Sequence, residues 1–540
     1  MTPEQLREQW DRAQQLEAAG ALDEARAAYS TILAASPRQI MVQLRISALE
    51  QAAGRYCASR LHALQAGETI SQTQRWEGLP HVTLRLLAFD ERELVQRMVL
   101  SADWSSPQVL AQAPTLSQHL DLCGREEEAL RLLAAADRRV HPSHLLEYSR
   151  ADALRHRGRM DEATAAYERC IALAPSFPHA HWSLAHHAPA SPGLARVARI
   201  RRALADPQQN ASTRTYLHYA LFKELDAAGE VETAWTELQA GAELRHAMQP
   251  YDAAPEEAGL TALMNEANRL PRAASATAEH ARVPIFIVGM PRTGTTVLER
   301  ILGGHTRVAD GGELNDFQHA ASLASNRFIQ LPLGAGDLAA LANVDPGAIG
   351  RNYLERTGLR YAGKSHLIDK NPLNFFAAGL IAKALPQARI LCLVRDPVDA
   401  CFSNLKELFA PGAYGYSYDL QDLADHYARF RRLLEHWRTA LPEQFHVVAY
   451  EDLVADPVQE TERAMRFCGL PPEPECADIT RNLSRASTAS SSQVRQPIHA
   501  RNVGAWRRYR QHLQPMIERL RQHGFAVDGD ADEPMGGNGQ

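Results

Sequence analysis

Lysine is nearly missing from this 540-residue chain. Lys223, Lys364, Lys370, Lys383 and Lys406 are the full set, against 53 arginines among 58 basic residues. With the abundant alanine, that bias fits a GC-rich bacterial genome and makes each lysine informative. Cysteine is sparse too. The seven present (Cys57, Cys123, Cys170, Cys392, Cys401, Cys468 and Cys476) are odd in number and form no Cys-x-x-Cys pair. Neither a disulfide framework nor a zinc site is indicated, and buried reduced thiols are expected. No apolar run approaches the roughly 18 residues of a membrane span. The polar start, Met1–Trp10, lacks a signal-like apolar core, so a cytoplasmic location is expected. An excess of positive charge is also lacking. The net charge of −6 argues against nucleic acid as a partner. What remains is ordinary globular composition, 45% hydrophobic and 23% charged, with length for two to four domains.

The first 250 residues repeat. Gly20, Ala25, Tyr29, Leu33 and Pro37 have the same spacing as Gly158, Ala163, Tyr167, Ile171 and Pro175. Gly54 follows Gly20 by 34 positions, and Gly158 follows Gly124 by 34. Gly124-Ala129-Leu133 and Gly229-Ala234-Leu238 begin the same pattern, whereas 60–115 shows little of it. Glycine ends a first helix at a tight turn. A small alanine lets two helices approach, and an i, i+4 series packs on the neighbour. Proline stops the second helix. This period resembles the tetratricopeptide repeat, which implies a helical solenoid with a concave surface for a partner or an acceptor.

Residues 251–282, rich in Ala, Pro and Glu with one short helix, read as a linker. The pattern then changes. Val283–Gly289 is a continuous apolar run, the mark of a strand buried on both faces. Ala388–Arg395 and Phe445–Glu451 are similar, and His366–Asp369 is a shorter candidate. Helical patterns lie at 295–305, 373–385, 397–409, 420–440 and 457–468. The alternation predicts a central parallel sheet covered by helices. The expected organisation is therefore multidomain. All-α tetratricopeptide-like repeats (1–250) and a linker (251–282) precede an α/β, P-loop-like domain (283–525) and a disordered tail (526–540).

The strand 283–289 runs into Gly289-Met-Pro-Arg-Thr-Gly294-Thr295-Thr296 and then a helix. Loop amides and a helix N-terminus converge on an anion in such a turn. The spacing Gly289-x4-Gly294 is that of a Walker A loop, but Thr295 stands where the lysine should be, which argues against an NTPase. Arg292 offers positive charge instead, and Thr293, Thr295 and Thr296 offer hydroxyls.

Pro291–Thr296 resembles the 5′-phosphosulfate loop of the sulfotransferases, and most of all the protein-tyrosine sulfotransferase branch. Further motifs follow in order. Leu393-Val-Arg395-Asp-Pro through Ser403 resembles the segment that binds the donor's 3′-phosphate, which implies that role for Arg395 and Ser403. Glu407 stands where the tyrosine branch often has another basic residue, with Lys406 beside it. Gly311-Gly312-Glu313 places a glutamate 21 residues after Arg292, and the resemblance makes Glu313 the general base. His305 and His319 are rival bases. Asp369-Lys370-Asn371-Pro372 aligns Lys370 with a lysine that stabilises the transferring sulfuryl group. Tyr450 resembles a donor-contacting tyrosine. Residues 490–497 resemble a loop laid over the nucleotide, with Gln493 and Val494 on the donor. That match implies a catalytic serine at Ser490, in a register open among 490, 491 and 492. Gly504-Ala-Trp506 resembles a closing element of bacterial members.

The resemblance implies transfer of a sulfuryl group from 3′-phosphoadenosine 5′-phosphosulfate, without a metal, to an acceptor hydroxyl. Glu313, Lys370, Arg292 and Ser490 are the expected catalytic residues. A protein or peptide tyrosine is one candidate acceptor, although Leu314–His319 lacks the arginines that hold acidic peptides in the tyrosine branch. The alternatives are a repeat scaffold whose transferase domain keeps the nucleotide but not the activity, and a P-loop kinase.

Overall fold

The computed structural model describes residues 1–139, 141–187, 195–266, 282–482 and 496–527. Contacts divide the chain into two compact units. The first holds Met1–Leu173, Asn315–Gln330 and Ala339–Thr357; the second holds Ala174–Leu314, Leu331–Leu338 and Gly358–Gln540.

The N-terminal region is all-helical and tetratricopeptide-like. Helix pairs include Pro3–Ala18 with Leu22–Ala35, Ile40–Ala52 with Tyr56–Thr73, and His144–His156 with Met160–Leu173. The turn inside each repeat explains the spaced glycines. Gly20, Gly54, Gly124, Gly158 and Gly229 all have φ between +74° and +83°, where a side chain is strained. In the stretch where the pattern fades, Leu79–Leu87 and Arg92–Ser101 still pair, and Asp90 takes the turn with φ +56°. Aspartate is one of the few side chains that tolerates this conformation. Ala25, Ala129, Ala163 and Ala234 are fully buried, as are Tyr29 and Tyr167.

The second unit contains a five-stranded parallel sheet, β1 (Val283–Gly289), β2 (Val308–Asp310), β3 (His366–Lys370), β4 (Arg389–Val394) and β5 (Phe445–Ala449). The order is β2-β3-β1-β4-β5, with every pair parallel. β2 has no counterpart among the expected strands, because three residues are too short to show a period. The third expected strand also ends early: Tyr450 and Glu451 open a helix, Tyr450–Ala455. Helices Thr295–Gly303, Pro397–Leu405, Leu420–Ala440 and Pro457–Phe467 lie close to their expected positions. The linker does carry a helix, Ala253–Glu266.

This topology fixes where a ligand can sit. The chain leaves β1 toward the β3 side and later returns to the β4 side. A crevice opens beyond the carboxyl ends of β1 and β4, where the direction of winding reverses. Gly289 pairs with Leu393, so the loops after the two strands start side by side.

Candidate active site

The loop after β1 turns where side chains cannot follow. Gly289 has φ +143°, and a Cβ there would lie 2.6 Å from the Leu393 carbonyl oxygen. Gly294 has φ +105°, and its Cβ would lie 2.4 Å from the Tyr450 ring. Between them Arg292 adopts φ +66°, at a cost of ~1–2 kcal/mol for a residue with a side chain. Such strain collects at functional sites. The Thr293 hydroxyl donates to the Met290 carbonyl at 2.8 Å and is fully buried. The Asn404 side-chain amide donates to the Pro291 carbonyl, also at 2.8 Å. The loop is thus pinned from behind, and Thr295 and Thr296 open a helix whose first N–H groups favour an anion.

Arg395 stands at the end of β4. Its guanidinium donates to the main-chain oxygens of Arg292 (3.4 Å) and Asn502, lies 3.5 Å from Asp399, and covers the Tyr450 ring at 4.8 Å. Asp399 in turn accepts the Gly504 N–H at 2.6 Å, which ties the C-terminal Gly-x-Trp element to this wall.

On the other side of β1, β2 and β3 bring Glu313 to Lys370. The pairing continues past β2, because Gly311 N donates to Ile368 O (3.1 Å) and Lys370 N donates to Gly312 O (2.9 Å). A Cβ on Gly311 would lie 2.4 Å from the Ile368 oxygen, so only glycine fits that step. Lys370 Nζ then sits 2.5 Å from Glu313 Oε1 and 3.7 Å from Glu299 Oε2. The lysine is 1% exposed, Glu299 8% and Glu313 53%. Burial pulls the Lys370 ammonium down, but Glu299 and then Glu313 outweigh it and hold it above its ordinary value. Glu299 moves the other way. Burial lifts its carboxyl to about 8; Lys370 opposes that, while Asp310, through charge and a hydrogen bond, and Glu313 reinforce it. The Glu299 carboxyl therefore keeps its proton at neutral pH.

These walls enclose a cavity of about 340 Å³. Of the residues expected on the donor, Arg292, Gly294, Thr295, Thr296, Arg395, Ser403 and Tyr450 line it, together with Glu313. Thr293 does not, since its hydroxyl faces the loop interior. Lys370 reaches the cavity edge through Glu313. Ser490, Gln493 and Val494 lie outside the described residues. The rival bases sit elsewhere. His305 is held by the Pro471 carbonyl (3.0 Å), and His319 by the Tyr56 hydroxyl (3.0 Å), with burial lowering its pKa to about 4. Glu407 stands 3.8 Å from Arg292.

Sequence reasoning missed Glu299, Asp310 and Lys223. Glu299 and Arg300 are both buried in a helix covered on nearly all sides, so no polar face marked them. Lys223 belongs to helix Ala211–Ala228, inside the repeat-like stretch, yet lines the same cavity. Among the described residues no group of three His, Cys, Asp or Glu is placed to hold a metal ion, and no helix is long and apolar enough to cross a membrane.

Residues 284–475 match the model of the Sulfotransferase family. A protein of Aquifex aeolicus, described only as uncharacterized, is 32% identical over 45% of this chain and 32% of its own length. Protein-tyrosine sulfotransferase 1 of Danio rerio is 23% identical over 41% of this chain and 65% of its own. The chain therefore spans under two thirds of either relative. Among solved structures, the C-terminal part of a TPR repeat-containing protein from Cytophaga hutchinsonii is similar at 11% identity, covering 45% of this chain and 97% of that one, with a TM-score of 0.32. The C-terminal half of this chain, over residues 284–475, carries a sulfotransferase-family domain, and tetratricopeptide-like helical repeats precede it.

Proposed function

We propose that the domain at 283–525 transfers a sulfuryl group from 3′-phosphoadenosine 5′-phosphosulfate to an acceptor hydroxyl. The observation that carries this reading is the Glu313–Lys370 pair, 2.5 Å apart, at a cavity that Arg292 and Arg395 also line. The donor spans the crevice. Its phosphosulfate end meets Arg292 and the amides at the start of helix Thr295–Gly303, and its 3′-phosphate end meets Arg395 and Ser403. Tyr450 flanks the nucleotide, and Gln493 and Val494 remain assigned to it from their motif.

Glu313 takes the acceptor proton as the hydroxyl oxygen forms its bond to sulfur. The bond from sulfur to the bridging phosphate oxygen breaks, and the electron pair leaves with adenosine 3′,5′-bisphosphate. Lys370 and Arg292 meet the negative charge spread over the sulfuryl and departing oxygens, with Ser490 assigned the same task by its motif. No metal has a part in this scheme. Because Glu313 is half exposed while Lys370 is buried, the base faces the acceptor and the cation faces the donor. Charges held ready in this way supply most of the catalysis in group transfers of this kind. The tetratricopeptide-like repeats suit a protein or peptide acceptor or partner.

The test is incubation of the full chain with donor carrying radioactive sulfate and a panel of hydroxyl acceptors, including tyrosine peptides. Transfer is expected. Arg292→Ala and Lys370→Ala should each lose at least ~100-fold in rate, the scale of one preorganised group. Wild-type rates in both variants would overturn the roles. Donor binding without transfer to any acceptor would favour a scaffold that has kept only the nucleotide site.

A further inference from the structure

One end of the cavity holds two cations without an evident partner. Lys223 and Lys406 both line it, and among the described residues neither has a carboxylate within ion-pair distance. Each amine lies over an aromatic ring instead, Lys406 over Phe402 at 4.4 Å and Lys223 over Phe222 at 6.0 Å. Burial, and after it Lys223, brings the Lys406 amine down to about 7, and burial lowers Lys223 as well. Two amines facing one cavity repel one another when both carry a proton, and a bound anion removes that repulsion.

The position is held firmly. Tyr219, one helical turn before Lys223, donates its hydroxyl to the Leu405 carbonyl at 3.1 Å, next to Lys406. Asp226, three residues after Lys223, accepts from the Tyr509 hydroxyl at 2.7 Å and from Arg508. Lys406 follows Ser403 by three residues, one turn along, so both reach the same side. That side belongs to Arg395 and the end of β4, whereas Glu313 and Lys370 lie on the β3 side of β1.

The geometry points to Lys223 and Lys406 as the clamp for a phosphomonoester dianion, the 3′-phosphate of the donor, with Lys223 supplied by a helix of the repeat-like region. This rests on the sulfonucleotide reading above and adds to it a donor contact from outside the sulfotransferase fold. It also answers the substitution at Glu407. The cation missing there is made good by its neighbour and by Lys223, while Glu407 turns to Arg292. The charged groups around the Lys406 amine are Lys223, Asp226, Arg292 and Arg395, with Glu407 close to Lys223.

The test is calorimetric binding of adenosine 3′,5′-bisphosphate and adenosine 5′-monophosphate to the full chain. Wild type should prefer the bisphosphate. Lys223→Gln and Lys406→Gln should each shrink that preference by about tenfold or more, with Lys406→Arg restoring part of it. Without nucleotide, the variants should melt no lower than wild type, because a buried repulsion is relieved. A second measurement needs no variant. At pH 8 the bisphosphate should draw protons onto the protein and the monophosphate should not, read from heats in buffers of different ionisation enthalpy. An unchanged preference in both variants, or equal proton uptake with the two nucleotides, overturns the clamp while leaving the donor site intact. If wild type binds no bisphosphate, the sulfonucleotide reading falls and the clamp with it.

Discussion

Replacing Lys370 with methionine and Glu299 with glutamine, singly and together, probes the charge cluster behind the proposed base. The nearer partner of Lys370 is Glu313 at 2.5 Å, but that carboxylate is 53% exposed, and a solvated pair is worth only ~0–1 kcal/mol. The farther partner, Glu299 at 3.7 Å, is 8% exposed. In the interior a full charge pair at this separation is worth up to about 4 kcal/mol, so it dominates whenever Glu299 is ionised. Burial raises the Glu299 carboxyl to about 8, above its ordinary 4.5. A carboxyl raised in this sense stabilises the fold below the unfolded value and loses that contribution as pH climbs through the folded one. Stability from this group should therefore decline between about pH 4.5 and 8, and Glu299→Gln should flatten the decline. The coupling between positions 299 and 370 should be near zero at pH 6. It should approach about 2–4 kcal/mol at pH 9, where Lys370, held above its ordinary value, is still charged. Urea unfolding of wild type, both single variants and the double variant at the two pH values measures it. A coupling that is the same at pH 6 and pH 9 would refute the assignment of a proton to Glu299 at neutral pH.

Three further substitutions test the loop and the repeats. Gly294→Ala drives a methyl into the Tyr450 ring that supports Arg395, so nucleotide affinity should fall at least about tenfold. Gly312→Ala, with φ +68° and open space around it, should cost only ~1–2 kcal/mol of stability. Equal affinities for the two variants would show that the contact with Tyr450 does not matter. Tyr167→Ala empties a fully buried site in the first unit and should lower stability by ~3–5 kcal/mol, measured by calorimetric melting.

Much of this fold could be read from the sequence because its cues are local. The glycine-alanine-tyrosine spacing reports one helix pair at a time, and the apolar runs of β1 and β4 report strands buried on both faces. Where another residue served the same physics, the signal vanished. Asp90 does the work of a repeat glycine, and β2 is too short for any period. In the candidate site, the loop glycines and Arg292 were legible because a tight strand-to-helix turn demands particular residues at particular steps, and Arg395 and Ser403 because they match a family motif. Glu299 and Lys223 were not. Their importance comes from what lies across from them in space, Lys370 in one case and Lys406 in the other, and neither neighbour is close in sequence.

The shortage of lysine makes this protein unusually suited to amine chemistry. An acylating reagent finds five side-chain targets, and three of them, Lys223, Lys370 and Lys406, cluster around one pocket. Only an unprotonated amine attacks such a reagent. At neutral pH that describes Lys406, at about 7, far better than Lys370, which is held above its ordinary value. Brief labelling near pH 7 should therefore mark Lys406 well ahead of Lys370, and whatever occupies the pocket should shield it.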